Sequence, residues 1–342
     1  MDHYIYRLEK LPLTTVSARR EAEAFLARHD LQLDASLQHY FGVFRGEQLI
    51  GGAGYGADVI KCVAVDPAYR GEGIVNALFS RIMTELHQQG IHNIFLFTKP
   101  GNELLFADLS FHTVEKTPEV LLMESDRRAF PAYLQGLRAL RGEGRTGAIV
   151  MNCNPFTLGH QYLVETARAR CDRLILFVVE EDASEFPYAD RIRLVREGVA
   201  HLPGVTVAPG GAYIISAATF PTYFLKDASK IAVAHTRLDI TIFGRHIAPS
   251  AGIGVRFAGE EPYSEVTRMY NEAMQAYLPP LGVEVQVVPR KQYAQDPISA
   301  SRVRGMIAAG QLEQTRDLVP ESTYLYLIDP QTGPILQRIR NK

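Results

Sequence analysis

From about residue 124 to residue 147 the chain changes its hydrophobic rhythm, and the two rhythms call for two different kinds of sheet. Before the change, residues 40–45 and 49–55 alternate about Gly46-Glu47 as a hairpin, and residues 60–65 read as the next strand. A helix follows the Asp66-Pro67 turn, with Ile74, Ala77, Leu78, Ile82 and Leu86 on one face and Gly90 as its stop, and residues 94–98 form another strand. This pattern predicts an antiparallel sheet with helices, an α+β domain. After the change, short apolar strands at 148–152, 174–179, 205–207, 239–243 and 283–288 alternate with helices, among them 159–170, 188–201 and 299–309. Such alternation predicts an α/β domain with a doubly wound parallel sheet and a ligand at the carboxyl ends of its strands. The run between them, ending Arg141-Gly142-Glu143-Gly144-Arg145-Thr146-Gly147, is rich in charge and glycine, as domain boundaries are. The expected domains are 1–140 and 146–342, and a length of 342 residues suits two domains.

Composition excludes several function classes. No apolar run approaches the roughly 20 residues that span a bilayer, and charge is interleaved near the N-terminus where a signal peptide would be apolar, so a cytoplasmic protein without membrane contact is expected. Net charge is −2, and neither half carries the basic excess of a nucleic-acid binder. Cys62, Cys153 and Cys171 have no metal-ligand spacing and read as buried free thiols.

The chemistry concentrates at two helix starts. Residues 147–160, GAIVMNCNPFTLGH, read as a buried strand, a tight Asn-Pro turn and a helix N-terminus, which sets Thr157 and His160 where free amides and the helix dipole favour an anion. Gly159 would let backbone approach a phosphate, and the imidazole can donate to a phosphate oxygen as charge builds on leaving pyrophosphate. Far along the chain, Ile298-Ser-Ala-Ser-Arg-Val-Arg304 stands at a strand-to-helix turn, with Ser299 and Ser301 as hydroxyls for β and γ phosphates and Arg302 and Arg304 as planar guanidinium donors. A serine N-cap on a surface helix is the plain structural alternative for Ser299.

Thr157-Leu158-Gly159-His160 resembles the T/H-x-G-H signature of the nucleotidylyltransferase superfamily, and residues 298–304 resemble its later I-S-x-S/T-x-x-R signature. With the stretches 177–195, 215–226 and 259–274, the whole chain is similar to the citrate lyase ligase family. That resemblance implies a Rossmann-like catalytic domain that uses ATP, with Mg²⁺, to form acetyl-adenylate from acetate. It then acetylates the thiol of the phosphoribosyl-dephospho-CoA group on the acyl carrier subunit of citrate lyase, releasing AMP and pyrophosphate and switching the lyase on. Thr157, His160 and Arg304 would be catalytic; Asn152, Asn154, Phe156, Gly159, Ser299, Ser301, Arg302, Lys226 and Gly259 would bind ATP. Alternatives are an adenylyltransferase acting on a phosphorylated metabolite and a non-catalytic regulator that binds the carrier.

Other residues near these motifs keep two readings. Glu260 and Glu261 meet magnesium, ribose or only solvent, and Lys226 neutralises phosphate or caps a helix. Arg191, Arg193 and Arg196 share a helix with Asp190 and Glu197, which suggests solvent-facing ion pairs. Cys153, beside the Asn-Pro turn, needs no nucleophilic role.

In the first half, Val63-Ala-Val65-Asp-Pro-Ala-Tyr-Arg70-Gly71-Glu-Gly73-Ile-Val75 resembles the acyl-CoA loop of the Gcn5-related N-acetyltransferase fold. Asn102 and residues 109–111 resemble a later segment of the same fold. The resemblance implies that Val65, Arg70, Gly71 and Gly73 hold a CoA-like arm on backbone amides. Val75 replaces a small residue and Phe106 stands where many members have a tyrosine acid, departures that speak against acetyl transfer. A purely structural domain is the alternative.

Overall fold

Tight turns at residues 46–47 and 57–58 favour antiparallel pairing of neighbouring strands, and that is how residues 39–65 pair. The structure is a computed structural model that describes residues 6–180, 184–215, 220, 223–224, 228–261, 265–294 and 296–341. Strands β1 (Arg7–Leu11), β2 (His39–Arg45), β3 (Gln48–Gly56) and β4 (Val59–Val65) pair antiparallel in sequence, with helix α1 (Val16–Arg28) between β1 and β2. Helix α2 (Ile74–Gln88) carries the chain back, so β5 (Phe95–Thr98) lies parallel to β4. The sheet is therefore mixed, which corrects the antiparallel expectation: a helical crossover returns the strand in its starting direction. Helix α3 (Glu103–Ala107), strands β6 (His112–Lys116) and β7 (Leu121–Glu124) and helix α4 (Ala129–Arg138) follow, and the sheet order is β1-β2-β3-β4-β5-β7-β6. Its core joins Phe41, Ile50 and Ile60 of the sheet to Leu78, Ile82 and Leu86 of α2.

Two local features open this sheet. Only Val59–Phe95 and Ile60–Leu96 pair between β4 and β5, so the two strands part beyond Ile60. At the same place β4 carries an extra residue against β3, with Cys62 at φ 56°, a bulge that bends the strand.

In the second half, strands β8 (Thr146–Met151), β9 (Arg173–Val178) and β10 (Val205–Pro209) alternate with helices α5 (Leu158–Arg168) and α6 (Tyr188–Val199). Helix α7 (Ala228–Ile242) runs through a π-helical turn at Phe243–Ile247 into the short α8 (Ala248–Ala251). Strand β11 (Ile253–Gly259), helix α9 (Glu265–Tyr277) and strand β12 (Glu284–Val288) complete a five-stranded sheet, all parallel, in the order β10-β9-β8-β11-β12. Residues 174–178 are buried without alternation, as a strand covered on both faces must be. The order reverses direction between β8 and β11, the crevice where a doubly wound sheet takes its ligand.

The strand expected at 239–243 is helix and the start of the π turn. Leu238, Ile240, Ile242, Phe243 and Ile247 are all buried, so this helix is enclosed around most of its girth and an apolar run there has no period to read. The strand in its place, β11, carries two glycines and an arginine, which dilute its apolar signal.

The last segment, a ribbon of β13 (Gln292–Tyr293) with β14 (Asp296–Pro297) and then α10 (Ala300–Ala308), α11 (Glu321–Ile328) and α12 (Gly333–Arg340), closes over its own core of Ile298, Val303, Ile307, Leu327 and Leu336. By contacts the chain forms two compact units, Met1–Ala132 with Phe220–Leu238, and Tyr133–Thr219 with Asp239–Lys342. The excursion 220–238 thus belongs to the first unit: Tyr223 donates its hydroxyl to the Phe97 carbonyl at 2.6 Å, and Arg237 pairs with Glu119 at 3.0 Å. All three cysteines are free and buried, and among the described residues no helix is long and apolar enough to cross a membrane.

Phe156, one residue before the Thr157 cap of α5, is fully buried and fills the space left by a glycine of α6. A Cβ on Gly198 would stand 2.4 Å from that ring. Gly198→Ala is expected to lower the unfolding free energy by about 1–3 kcal/mol, read as a lower urea midpoint at unchanged slope.

Candidate functional site

The turn after β8 sets the first half of the site. Asn154-Pro155 is a cis peptide, and Thr157, in extended backbone, caps α5. Its Oγ accepts from the His160 amide at 3.3 Å, and Nδ1 of His160 in turn accepts from the Thr157 amide at 3.1 Å. A backbone N–H can only donate, so Nδ1 presents its lone pair and the neutral ring carries its proton on Nε2. Burial, and next the Arg290 guanidinium, lower the imidazole pKa from 6.5 to about 4. At neutral pH the side chain is an uncharged donor, locked in one tautomer, with Phe156 stacked at 5.7 Å between centroids.

Fewer free amides remain at this helix start than the sequence suggested. Thr157 and His160 use theirs on each other, and Leu158 donates to the Leu318 carbonyl at 2.9 Å. Among the described residues the Gly159 amide alone in this turn of helix has no such partner. Packing also requires a glycine at 159: a Cβ there would lie 2.5 Å from the Ile298 carbonyl oxygen, a backbone atom of the second motif.

That close approach brings the two motifs together. Ser299 caps α10, accepting from the Arg302 amide at 3.1 Å, and with Ser301 it faces the same cavity as Thr157, Gly159 and His160. Arg304 donates to the Asn154 carbonyl and to Ser301 Oγ, and its Nε lies 3.5 Å from Glu185. The cavity, about 530 Å³, opens at the carboxyl ends of β8 and β11. Asn152 and Gly259 also line it.

Four sequence-derived assignments fall elsewhere. Arg302 is turned to the ribbon carbonyls of Tyr293 and Asp296 at 3.1 and 3.4 Å, because its place on α10 points it away from the cavity. Phe156 is core, Asn154 is spent on Glu185 and the Phe186 amide, and Arg304 braces the turn without lining the cavity. Lys226 lies outside the described residues. Of the two glutamates, Glu261 lines the cavity and is bound by Arg290, whereas Glu260 uses its amide on the Val288 carbonyl at 2.8 Å. Arg193 makes the expected exposed pairs with Asp190 and Glu197, but Arg191 is wholly buried. Its guanidinium gathers the Asn152, Val179 and Phe186 carbonyls at 2.7, 2.9 and 3.1 Å, tying the ends of β8 and β9 together. Burial pushes the Cys153 thiol well above its ordinary pKa, so it is an inert neighbour.

Sequence reasoning missed Arg256, Tyr270, Asn271, Arg290 and Lys291, which all line the cavity. Arg290 and Lys291 lie just past the end of β12, after Pro289, so a basic pair following an apolar strand was the available signal.

The first unit has its own cavity of about 800 Å³ where β4 and β5 part. Val65, Arg70, Gly71 and Gly73 line it, with Asn102 and Phe106. Gly71 and Gly73 take φ of 84° and 77°, which side-chain-bearing residues avoid. No protein group among the described residues takes up the amides of Gly73, Ile74 and Val75 at the start of α2. Tyr223 and Phe224, from the 220–238 excursion, supply another wall.

The His160 geometry has a thermodynamic signature. Its folded pKa lies below the ordinary value, so between pH 6.5 and 4 only the unfolded chain takes up this proton. Its contribution to stability is complete above pH 6.5 and is lost as pH falls. Between pH 7.5 and 5 the loss through this group is expected to be about 2 kcal/mol and to be missing from His160→Gln; urea unfolding of both proteins at the two pH values checks it, and parallel losses would refute it.

Comparison with known proteins agrees with both units. Residues 146–327 match the family described as Citrate lyase ligase C-terminal domain, and residues 3–105 match the Acetyltransferase (GNAT) family. The citrate (pro-3S)-lyase ligase of Escherichia coli (strain K12) is 40% identical over 316 residues, covering 90% of this chain and 89% of that protein. The protein of the same description from Klebsiella pneumoniae is 39% identical over 328 residues, covering 94% and 96%. A phosphopantetheine adenylyltransferase of Methylococcus capsulatus is 39% identical over 67 residues, covering 19% of this chain and 41% of that protein. With nearly the full length matched on both sides, the chain belongs to the citrate lyase ligase family, enzymes of the ligase class, and joins an N-terminal GNAT domain to a C-terminal nucleotidylyltransferase-like domain.

Proposed function

We propose that the protein activates citrate lyase by joining acetate, at the expense of ATP, to the thiol of the CoA-like prosthetic arm on the lyase's acyl carrier subunit. The observation that carries this reading is the convergence of Thr157, Gly159 and His160 with Ser299 and Ser301 on one cavity at the switch point of a parallel sheet. In the first step an acetate oxygen attacks the α-phosphorus, a P–O bond forms, and the bond to pyrophosphate breaks. In the second the carrier thiolate attacks the acetyl carbonyl, a C–S bond forms, and AMP leaves with the electrons of the C–O bond. The thiol proton goes to solvent.

Protein groups need only align and neutralise charge in the first step. Nε2–H of His160 and the Gly159 amide are donors for phosphate oxygens, and Arg290 and Lys291 supply positive charge on the same wall. Because His160 is neutral, it stabilises developing charge without a proton transfer. No group of three His, Cys, Asp or Glu among the described residues is arranged to hold a metal. Mg²⁺ enters this reading as part of the substrate, carried by the phosphates of ATP.

In the first unit, the open amides at α2 and the two left-handed glycines support a pyrophosphate-bearing ligand, which the carrier's arm supplies. Phe106, which packs on the Phe79 ring, offers no phenol at the place where an acetyltransferase would use one as an acid.

Acetate-dependent exchange of labelled pyrophosphate into ATP tests the first step, with AMP as the nucleotide product once carrier is added. His160→Ala is expected to lower the exchange rate about 10²–10³-fold. An AMP group retained on a phosphorylated product would instead favour a plain adenylyltransferase, and lyase activation by the variant without ATP would favour a regulator. For the arm, titration of dephospho-CoA into the full chain is expected to show binding that Gly73→Val weakens at least tenfold; equal affinity would reject the loop assignment.

A further inference from the structure

Arg256 stands in the middle of β11 with its side chain 4% exposed, yet it lines the cavity. Its guanidinium lies over the Phe243 ring at 4.2 Å, and Nη2 meets the Tyr270 hydroxyl at 3.0 Å and Asp239 at 3.9 Å. Asp239 is itself held by the Tyr270 hydroxyl and by the Ile215 amide. This scaffold fixes one edge of the fork. The other edge, Nη1, is buried and has no hydrogen-bond partner among the described residues. A buried charged donor left unpaired costs on the order of the hydrogen bond it lacks, so native interiors seldom tolerate one without a function.

We propose that Nη1 of Arg256 is the seat of the carboxylate substrate, which rests on the ATP-dependent acid activation argued above. The competing occupant is a phosphate of the nucleotide, and position decides against it. The groups suited to phosphate, Gly159, His160, Ser299, Arg290 and Lys291, sit at helix starts or just past strand ends. Arg256 is rooted three residues before the end of β11, about 10 Å deeper along the strand. At that depth α9 contributes Tyr270 and Met274 to the lining, and Met274 is 2% exposed. A guanidinium donor beside a methionine suits a ligand with one anionic end and one small apolar end. A short carboxylate that accepts from Nη1 through one oxygen keeps its second oxygen free for attack on the α-phosphorus.

Kinetics in the full-length protein separate the occupants. Arg256→Lys preserves the charge beside Asp239 and removes the fork; it is expected to raise KM for acetate in the exchange reaction at least tenfold while KM for ATP stays within twofold. Tyr270→Phe frees the fixed edge of the fork and should raise KM for acetate several-fold, and it serves if circular dichroism shows Arg256→Lys unfolded. A parallel rise in KM for ATP would assign Nη1 to phosphate, and no change in either constant would leave the site without a ligand role; both outcomes overturn the proposal. Line broadening of [13C]acetate by the nucleotide-free protein gives an independent readout. Loss of broadening in Arg256→Lys supports the seat even if wild-type exchange fails and the ligase reading falls, whereas equal broadening rejects the seat even if exchange is robust.

Discussion

The carbonyl oxygen of Ile298 occupies the space that a side chain on residue 159 would take, and the cavity between the two motifs depends on that approach. Two helix starts separated by some 140 residues of sequence meet there, backbone against backbone. Arg304 secures the junction from the second motif by reaching the Asn154 carbonyl, and the Leu318 carbonyl secures it by accepting from Leu158. A glycine is needed for contact between two parts of the protein, and the shape of the cavity follows from that contact.

Electrostatics around the cavity divides into charges that are spent and donors that are kept. Arg191, wholly buried, is consumed by carbonyls at the ends of β8 and β9, so it holds the Asn-Pro turn in place and contributes no free charge to a ligand. His160 is kept neutral by burial and by the nearby Arg290, so it donates from Nε2 without carrying charge. Arg290 and Lys291 bring positive charge to the wall, with Glu261 paired to Arg290 to limit the local excess. Neutral donors and moderated cations fit the proposed reaction, because binding the ground state too tightly does not accelerate a reaction.

Both units solve the same geometric problem, exposing helix-start amides in a cleft that a sheet creates. In the second unit the cleft arises where strand order reverses between β8 and β11. In the first it arises where β4 and β5 stop pairing after Ile60, helped by the bulge at Cys62. The first unit keeps its α2 amides open by using glycines in place of a side-chain cap, whereas α5 closes most of its own with the reciprocal bonds of Thr157 and His160. The two helix starts therefore offer different donors, one chiefly backbone amides and the other an imidazole with nearby cations.

Patterns that act locally could be read directly: the hairpin and following strand of residues 40–65, the strand-turn-helix around Thr157 and His160, the Ser299 cap, and the change of rhythm near residue 147. They are set by neighbours a few residues apart, through turn geometry, capping and alternation. The parallel return of β5, the helix at 239–243, the partner of Gly159, the inward Arg191 and the cavity-facing Arg256, Arg290 and Lys291 were decided only in three dimensions. Each depends on which distant surface covers a residue: an apolar run enclosed around its girth has no period, and an arginine's sequence neighbours do not show whether carbonyls, a ring or solvent will meet its guanidinium. Local chemistry wrote the motifs, and long-range packing chose which of their atoms face the cavity.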